Sequence, residues 1–195
     1  MSLLAEKFSF LEESVRNIHS EIIDRARLGD QLAYREIYRL YSKAMFNTAL
    51  RMVTDRSEAE DILQESFLSA FRNLKQYRGD ASFGAWLKRI VVNQALNALR
   101  RRKEFGFSDA LDQMPDASLE DQDNGFPYTV SQVNSAVQLL PDGYRTVLSL
   151  YLIEGYDHSE ISDILSIDEN TSKSQLSRAK KKLVELLQQN FTRHE

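Results

Sequence analysis

The side chains best suited to chemistry lie on a predicted helix near the C-terminus, where hydroxyl and cationic groups recur with helical spacing. One side of this helix holds Ser174, Ser177, Arg178 and Lys181, with Lys173 at its edge. A helix in the DNA major groove needs short donors and Arg or Lys in front, and an apolar back that packs on its own domain. The pattern indicates DNA binding; the alternative is a solvated amphipathic helix with a basic face. The apolar back is formed by Leu176, Ala179, Leu183, Leu186 and Leu187.

A second group of side chains that could contact nucleic acid surrounds a Gly-containing loop at residues 77–83. Tyr77, Phe83 and Trp86 are interleaved there with cations. Aromatic rings stack on unpaired bases while cations hold phosphates. The alternative is that Phe83 and Trp86, three residues apart, belong to the core. The polar members of this group are Lys88, Arg89 and Asn93, and Asn97 shares the helix face of Asn93.

A third segment, EDILQESF at residues 60–67, combines carboxylates with apolar side chains. A metal site is a poor interpretation, because no His is near and helical spacing spreads the carboxylates around the axis. A surface for a protein partner fits better, and a solvated helix face is the alternative.

These three groups must be positioned by helices, because apolar residues recur at spacings of three and four and no stretch alternates like a strand. Ala33, Ile37, Leu40, Tyr41, Ala44, Met45, Thr48 and Met52 predict one buried face. Capping boxes are predicted at Ser57/Glu60 and Asp157/Glu160, and Asp168 is a predicted N-cap. The last two helices, joined by a tight break at residues 166–167, predict a helix-turn-helix. Helices are predicted at 21–28, about 33–52, 57–77, 82–103, 130–138, 142–153, 158–165 and 169–189.

The charge distribution divides the chain. The net charge is −4, which by itself disfavours nucleic acid. However, residues 21–104 carry 16 basic and 11 acidic groups, and residues 171–195 carry 6 and 2. The segment 105–125 has 6 carboxylates and no base. We therefore predict an all-α chain: an N-terminal arm (1–20), a first helical domain (21–104), an acidic linker (105–127) and a second helical domain (128–190). The run 100–103 adds a basic patch to the first domain.

Composition limits the classes of function. The chain has no Cys, which excludes disulfides, thiolate zinc sites and Cys nucleophiles. The three His residues are scattered and no nucleophile–base pair or phosphate loop is visible, so an enzyme is disfavoured and no cofactor is expected. Apolar runs are too short to span a bilayer, and the N-terminus lacks the apolar run of a secretory signal. The expectation is a cytoplasmic protein with no membrane insertion.

The order of these motifs resembles the extracytoplasmic-function (ECF, group 4) sigma factors of bacterial RNA polymerase, within the sigma-70 family. Three blocks carry the resemblance: AEDILQESFLSAFRNL, YRGDASFGAWLKRIVVNQALNALRRRK, and the segment from Leu140 to Leu183 that contains the helix-turn-helix. The resemblance implies sigma region 2 at 21–104, sigma region 4 at 128–190 and no catalytic activity. The implied partners are core polymerase, promoter DNA and an anti-sigma factor.

The resemblance also implies roles for individual residues. The DILQE-like helix would bind the β′ clamp, the loop and the helix after it would recognise and open the −10 element, and the basic helix would read the −35 element. Region 4 would also contact the β flap, and the linker would lie near the RNA exit path. The implied polymerase-binding residues are Asp61, Ile62, Gln64, Glu65 and Phe67. The implied −10 and melting residues are Tyr77, Phe83, Trp86, Lys88, Arg89 and Asn93. The implied −35 residues are Lys173, Ser174, Ser177, Arg178 and Lys181.

The turn before the basic helix departs from the family pattern. Many members have Gly-Thr-Val near this helix, whereas this chain has Asn170-Thr171-Ser172. Gln175 and Ser177 are expected to make the reading face short and polar, so the −35 sequence cannot be transferred from relatives. Two other functions remain open: a free-standing helix-turn-helix regulator that needs no polymerase, and a helical protein-interaction adaptor.

Overall fold

The computed structural model describes residues 19–102 and 128–191, with only the backbone at Phe191. The predicted linker, Lys103 and the predicted arm up to residue 18 lie outside the described residues. The chain divides into two compact units, Met1–Leu50 with Asp55–Leu96, and Arg51–Thr54 with Asn97–Glu195. Every regular element within the described ranges is helical, so the predicted all-α fold class is confirmed.

Between residues 19 and 102 the helices are α1 (Ser20–Arg27), α2 (Gln31–Val53), α3 (Arg56–Arg72) and α4 (Phe83–Arg101), with a 3-10 turn at Leu74–Gln76. The predicted apolar face of α2 is buried at Ala33, Ile37 and Met45, as expected. Leu40 and Ala44 are exposed instead. Leu40 lies at the edge of the predicted stripe, but Ala44 lies between Ala33 and Ile37 around the helix axis, so periodicity does not explain its exposure.

The start of α3 differs from the prediction. The side chain of Asp55, not Ser57, caps this helix by accepting a hydrogen bond from the Glu58 N–H at 2.8 Å. Asp and Ser are about equally good N-caps, and capping by Asp55 adds residues 56 and 57 to the helix, which therefore begins at Arg56. It also ends earlier than predicted, at Arg72, where the Asn73 side chain donates to the Ser69 carbonyl at 2.9 Å.

The C-terminal helices are α5 (Val130–Gln138), α6 (Asp142–Leu148), α7 (His158–Leu165) and α8 (Glu169–Phe191). The predicted helix 142–153 is α6 followed by one π turn at Ser149–Ile153. Helices α5, α6 and α7 pack on α8, which forms the centre of this unit. Its apolar core contains Leu140, Leu148, Leu150, Ile161 and Leu187, all at most 2% exposed.

Helices α7 and α8 form the predicted helix-turn-helix. The capping box is present: Asp157 accepts from the Glu160 N–H at 2.8 Å, and the Glu160 carboxylate accepts from the Asp157 N–H at 2.9 Å. Helix α7 ends at Leu165, and its C-cap residue Ser166 has a left-handed φ of 56°. The Asp168 side chain then accepts from the Asn170 N–H at 2.8 Å, as an N-cap does. The turn thus holds three residues between two capped helices.

Candidate nucleic-acid interface

The surface of α8 that was predicted to face DNA is accessible, and its back is buried. Lys173 and Ser177 are exposed, and Ser174, Arg178 and Lys181 are half-buried. The back is carried by Leu176, Ala179 and Leu187, which are at most 5% exposed, while Leu183 and Leu186 are half-buried. Helix α8 therefore has the two faces that groove binding requires.

Gln175 does not belong to the accessible face. It is only 9% exposed, and Ser172 one turn earlier is fully buried. The expectation that Gln175 contributes to the reading face is therefore wrong. Its position one residue before Leu176 places it at the border of the apolar stripe, where packing against α8's neighbours decides its burial.

Lys173 and Ser174 already have partners on α8. The Lys173 ammonium lies 2.7 Å from a Glu169 carboxylate oxygen, and this hydrogen bond raises the pKa of Lys173. Ser174 donates to the Thr171 carbonyl at 3.0 Å. Contact with DNA would exchange these local bonds for bonds to phosphates or bases. Both Lys173 and Glu169 are about half exposed, so solvent weakens their pairing.

The aromatic residues of the 77–83 loop form one packed cluster. The ring centroids of Tyr77 and Trp86 are 5.4 Å apart, and those of Phe83 and Trp86 are 5.5 Å apart. Tyr41 of α2 meets the Phe83 ring edge-on at 5.3 Å. Phe83 is 2% exposed and Tyr77 8%, so both belong to the core, while Trp86 is half-exposed. Trp86 is thus the member of the predicted trio that can offer a ring face to a base.

The loop before α4 is held by its own polar contacts. The Tyr77 hydroxyl donates to the Ala81 carbonyl at 2.7 Å, and the guanidinium of Arg27 donates to the Tyr77 carbonyl. The same guanidinium lies 5.5 Å above the Tyr77 ring. Burial raises the pKa of Tyr77. Gly79 has a φ of +84°, a turn conformation that an L side chain rarely adopts. No spacing pattern in the sequence predicts the Arg27 contact, which joins residues 50 positions apart.

The polar residues of α4 do not all share the face of Trp86. At about 100° per residue, Arg89 and Asn93 lie within about 60° of Trp86 around the helix axis. Both are exposed, and Asn97 continues the stripe. Lys88 lies on the far side, about 200° from Trp86, and is half-buried. The stripe of Trp86, Arg89 and Asn93 is therefore the coherent part of the predicted −10 group.

The acidic segment of α3 also separates into a surface and a core. Asp61, Gln64 and Glu65 are exposed and lie on one side of the helix. Ile62 is 6% exposed and Phe67 3%, so these two predicted contact residues pack inside. The Phe67 ring lies 4.8 Å from that of Tyr38 on α2 and 5.7 Å from that of Phe71.

The sequence pattern did not lead us to predict one surface residue on α3, Leu68. Leu68 is 49% exposed and follows Gln64 by four positions, on the side of Asp61 and Glu65. The spacing i, i+3, i+4, i+7 from Asp61 was the available signal. An exposed leucine among carboxylates gives this face both charge and apolar area.

No group of three or more His, Cys, Asp or Glu side chains within residues 19–102 and 128–191 is placed to hold a metal ion. None of the helices in these same ranges has the length and apolar composition needed to cross a membrane.

Two family models match the chain, in the same order as the helical units. Residues 37–105 match the family model of Sigma-70 region 2, and residues 131–183 match that of Sigma-70, region 4. The chain is 29% identical over 179 residues to the RNA polymerase sigma-H factor of Pseudomonas aeruginosa, covering 86% of this chain and 93% of that protein. It is 30% identical over 168 residues to the ECF RNA polymerase sigma factor SigM of Mycobacterium tuberculosis, covering 86% and 84%.

Solved structures show the same fold. CnrH in complex with the cytosolic domain of CnrY matches with a TM-score of 0.55 at 22% identity, over 91% of this chain and 99% of that one. The sigma factor RpoE in complex with the anti-sigma factor NepR, from Bartonella quintana, matches with a TM-score of 0.54 at 23% identity, over 80% and 98%. The family models and the relatives place the chain in the ECF family of sigma-70-type RNA polymerase sigma factors, and the solved structures share its fold.

Proposed function

We propose that this chain is a promoter-specificity subunit, which binds core RNA polymerase and directs initiation by recognising −35 and −10 elements and assisting strand opening. The observation that carries the proposal is the two-faced helix α8, with Lys173, Ser177 and Arg178 outside and Leu176 and Ala179 buried. In this proposal residues 21–104 act as region 2 and residues 128–190 as region 4.

Recognition of the −35 element is assigned to α8. Arg178 would contact base edges, where its guanidinium can make two hydrogen bonds to guanine. Ser174 and Ser177 are short donors and acceptors beside it, and Lys173 and Lys181 would hold phosphates. Phosphate contacts position the helix, and the base contacts give it sequence preference.

Recognition and opening of the −10 element are assigned to the Trp86 stripe. An unpaired base stacked on an aromatic ring gains about 1–3 kcal/mol, which offsets part of the stacking lost from the duplex. Arg89 and Asn93 would contact the same strand. Tyr77 and Phe83 act indirectly, because their packing fixes the Trp86 ring. Lys88 would at most contact phosphates of the flanking DNA, since it lies on the far side of α4 from this stripe.

Binding of the polymerase clamp is assigned to the α3 surface formed by Asp61, Gln64, Glu65 and Leu68. Ile62 and Phe67 support this surface from the core and do not reach the partner themselves. The β flap would contact apolar residues of region 4. Polymerase makes the phosphodiester bonds, so the chain itself performs no catalytic step, and it works in the cytoplasm beside the polymerase.

An anti-sigma protein is the second proposed partner. The CnrH and RpoE structures are complexes with CnrY and NepR, and their likeness to this fold motivates the same kind of partner here. The chain has no Cys, so a signal would reach it through such a partner or through its own abundance rather than through thiol chemistry.

The proposal is tested by run-off transcription with purified core polymerase and promoter fragments from the same genome. We expect transcripts that require the chain, together with its binding to core polymerase. Replacing Asp61, Gln64 and Glu65 by Ala should weaken core binding, whereas Gln31→Ala on the exposed start of α2 should not. No transcript and no core binding would overturn the proposal. Duplex binding without any effect of polymerase would favour a free-standing regulator, and partner binding without DNA selectivity would favour an adaptor.

A further inference from the structure

A histidine at the start of the helix-turn-helix contacts the back of helix α8. The His158 Nδ1 atom lies 2.9 Å from the Ser172 hydroxyl oxygen. Ser172 lies in the first turns of α8 and is 0% exposed, so its hydroxyl cannot reach water. A buried hydroxyl without a partner is costly, so this hydrogen bond fixes both side chains.

A second contact also holds the His158 ring. It stacks on Tyr151 of the π turn, with centroids 4.5 Å apart and planes 24° apart. His158 is the first residue of α7, whose start is fixed by the Asp157/Glu160 capping box. One imidazole therefore joins three elements: the π turn, α7 and α8.

The contact lies opposite the surface assigned to DNA. At about 100° per residue, Ser177, Lys181, Ser174 and Arg178 lie between about 140° and 240° from Ser172 around the axis of α8. A bond on the back of the helix thus sets the rotation of its front. A change in this rotation moves every reading side chain in the same direction at once.

We propose that His158 is a positioning residue for −35 recognition, which fixes the rotation of α8 through Ser172 and acts without contacting DNA. This rests on the proposed function, because it takes the accessible face of α8 as the reading face. The side chains that recognise DNA are unchanged by substitution of His158; only their placement relative to the groove changes.

The test measures binding of the polymerase holoenzyme, assembled with the full chain, to a wild-type promoter duplex and to the same duplex with its −35 element replaced. The quantity of interest is the ratio of the two affinities. His158→Ala should lower this ratio about 3- to 10-fold, the range expected for loss of one hydrogen bond that holds a reading surface. Ser172→Ala should lower it similarly, and the double variant should be no worse than either single variant.

Rescue and control variants separate positioning from simple loss of stability. His158→Asn can place an amide near the position of Nδ1, so we expect it to restore most of the ratio. Ser159→Ala, its exposed neighbour on α7, should leave the ratio unchanged. Core binding and transcription from a pre-melted template should be normal in every variant.

Two results would overturn the inference. One is an unchanged ratio in His158→Ala, including the case in which only the melting temperature falls, since that would show a purely structural role. The other is an additive double variant, which would show that the two residues act separately. Failure of the wild-type chain to direct promoter-selective binding would instead reject the proposed function, so the two failures are distinguishable.

Discussion

The rings of Trp86 and Tyr77 pack with their centroids 5.4 Å apart and their planes tilted by 44°. Tyr77 is also contacted by the guanidinium of Arg27 and is tied by its hydroxyl to Ala81. Trp86 therefore presents its ring from a support that is already ordered. An ordered ring loses little conformational freedom when a base stacks on it.

Trp86→Ala should impair promoter opening on duplex templates more than on pre-melted ones, because the lost stacking matters most when a base must leave the duplex. Trp86→Phe keeps a ring and should retain most of the opening. Permanganate footprinting of unpaired thymines measures opening of the duplex template, and run-off transcription compares the two templates. Equal defects on both templates would mean that Trp86 serves the core alone.

Arg178→Ala should weaken use of the −35 element by about 1–3 kcal/mol and relax sequence preference there, as expected for a base-reading Arg. Lys180→Ala, an exposed cation on the same helix, should weaken binding evenly across sequences. Affinities for a set of duplexes with single changes in the −35 element distinguish the two. A uniform loss in Arg178→Ala would assign that residue to phosphates.

Asp30→Asn should reduce stability in a way that depends on pH. The side-chain hydrogen bond from Arg25, 2.6 Å away, lowers the pKa of the Asp30 carboxyl, and the N–H of Leu32 adds to the effect. A lowered folded-state pKa stabilises the protein above the unfolded value of about 4, and this stabilisation is lost as the pH falls through the folded value.

The Asn variant keeps an oxygen for the Leu32 N–H but loses the charge. Urea unfolding should therefore show it less stable than wild type at neutral pH, with a difference that shrinks below about pH 4. Asp24→Asn, on a side chain 65% exposed, is the matched control and should change little. A difference that persists at low pH would exclude the ion pair as its origin.

Ser166→Gly should stabilise the protein by about 0.5–1 kcal/mol, because glycine adopts the left-handed conformation without the steric cost that a Cβ imposes. The φ of Ser166 is 56° and its side chain is exposed, so no packing is lost. The same change at Ser135, exposed within α5, should destabilise by a similar amount. Thermal unfolding shows whether each variant is more or less stable than wild type. Destabilisation by Ser166→Gly would show that the Ser166 hydroxyl has a role.

Local signals in the sequence predicted the helix-turn-helix well. The Asp157/Glu160 capping box and the Asp168 N-cap depend on neighbours within four positions, and both are present. Ser57 and Glu60 match the capping-box pattern as well as Asp157 and Glu160 do, but Asp55 caps α3 instead. Two overlapping N-caps compete, and only one of them can begin a helix.

Contacts between distant residues could not be predicted in the same way. The Arg27 contact with Tyr77 joins α1 to the loop before α4, and the His158 contact with Ser172 joins α7 to α8. No spacing rule within one helix predicts such contacts. The burial of Phe67 follows from the position of Tyr38 on α2, which the sequence of α3 does not contain. Periodicity therefore gave the correct helix but not which residues at the edge of its buried face reach solvent.

The ion pair between Glu169 and Lys173 has a consequence for the dependence of promoter binding on salt. Each cation that neutralises a DNA phosphate releases about one condensed counterion, which sets the slope of log affinity against log salt. Lys173 already has a carboxylate at 2.7 Å, and that carboxylate is left without its partner near the DNA when Lys173 turns to a phosphate. Repulsion between the Glu169 carboxylate and the DNA phosphates then offsets part of what Lys173 contributes. Counting the basic residues of α8 will therefore overestimate its salt slope.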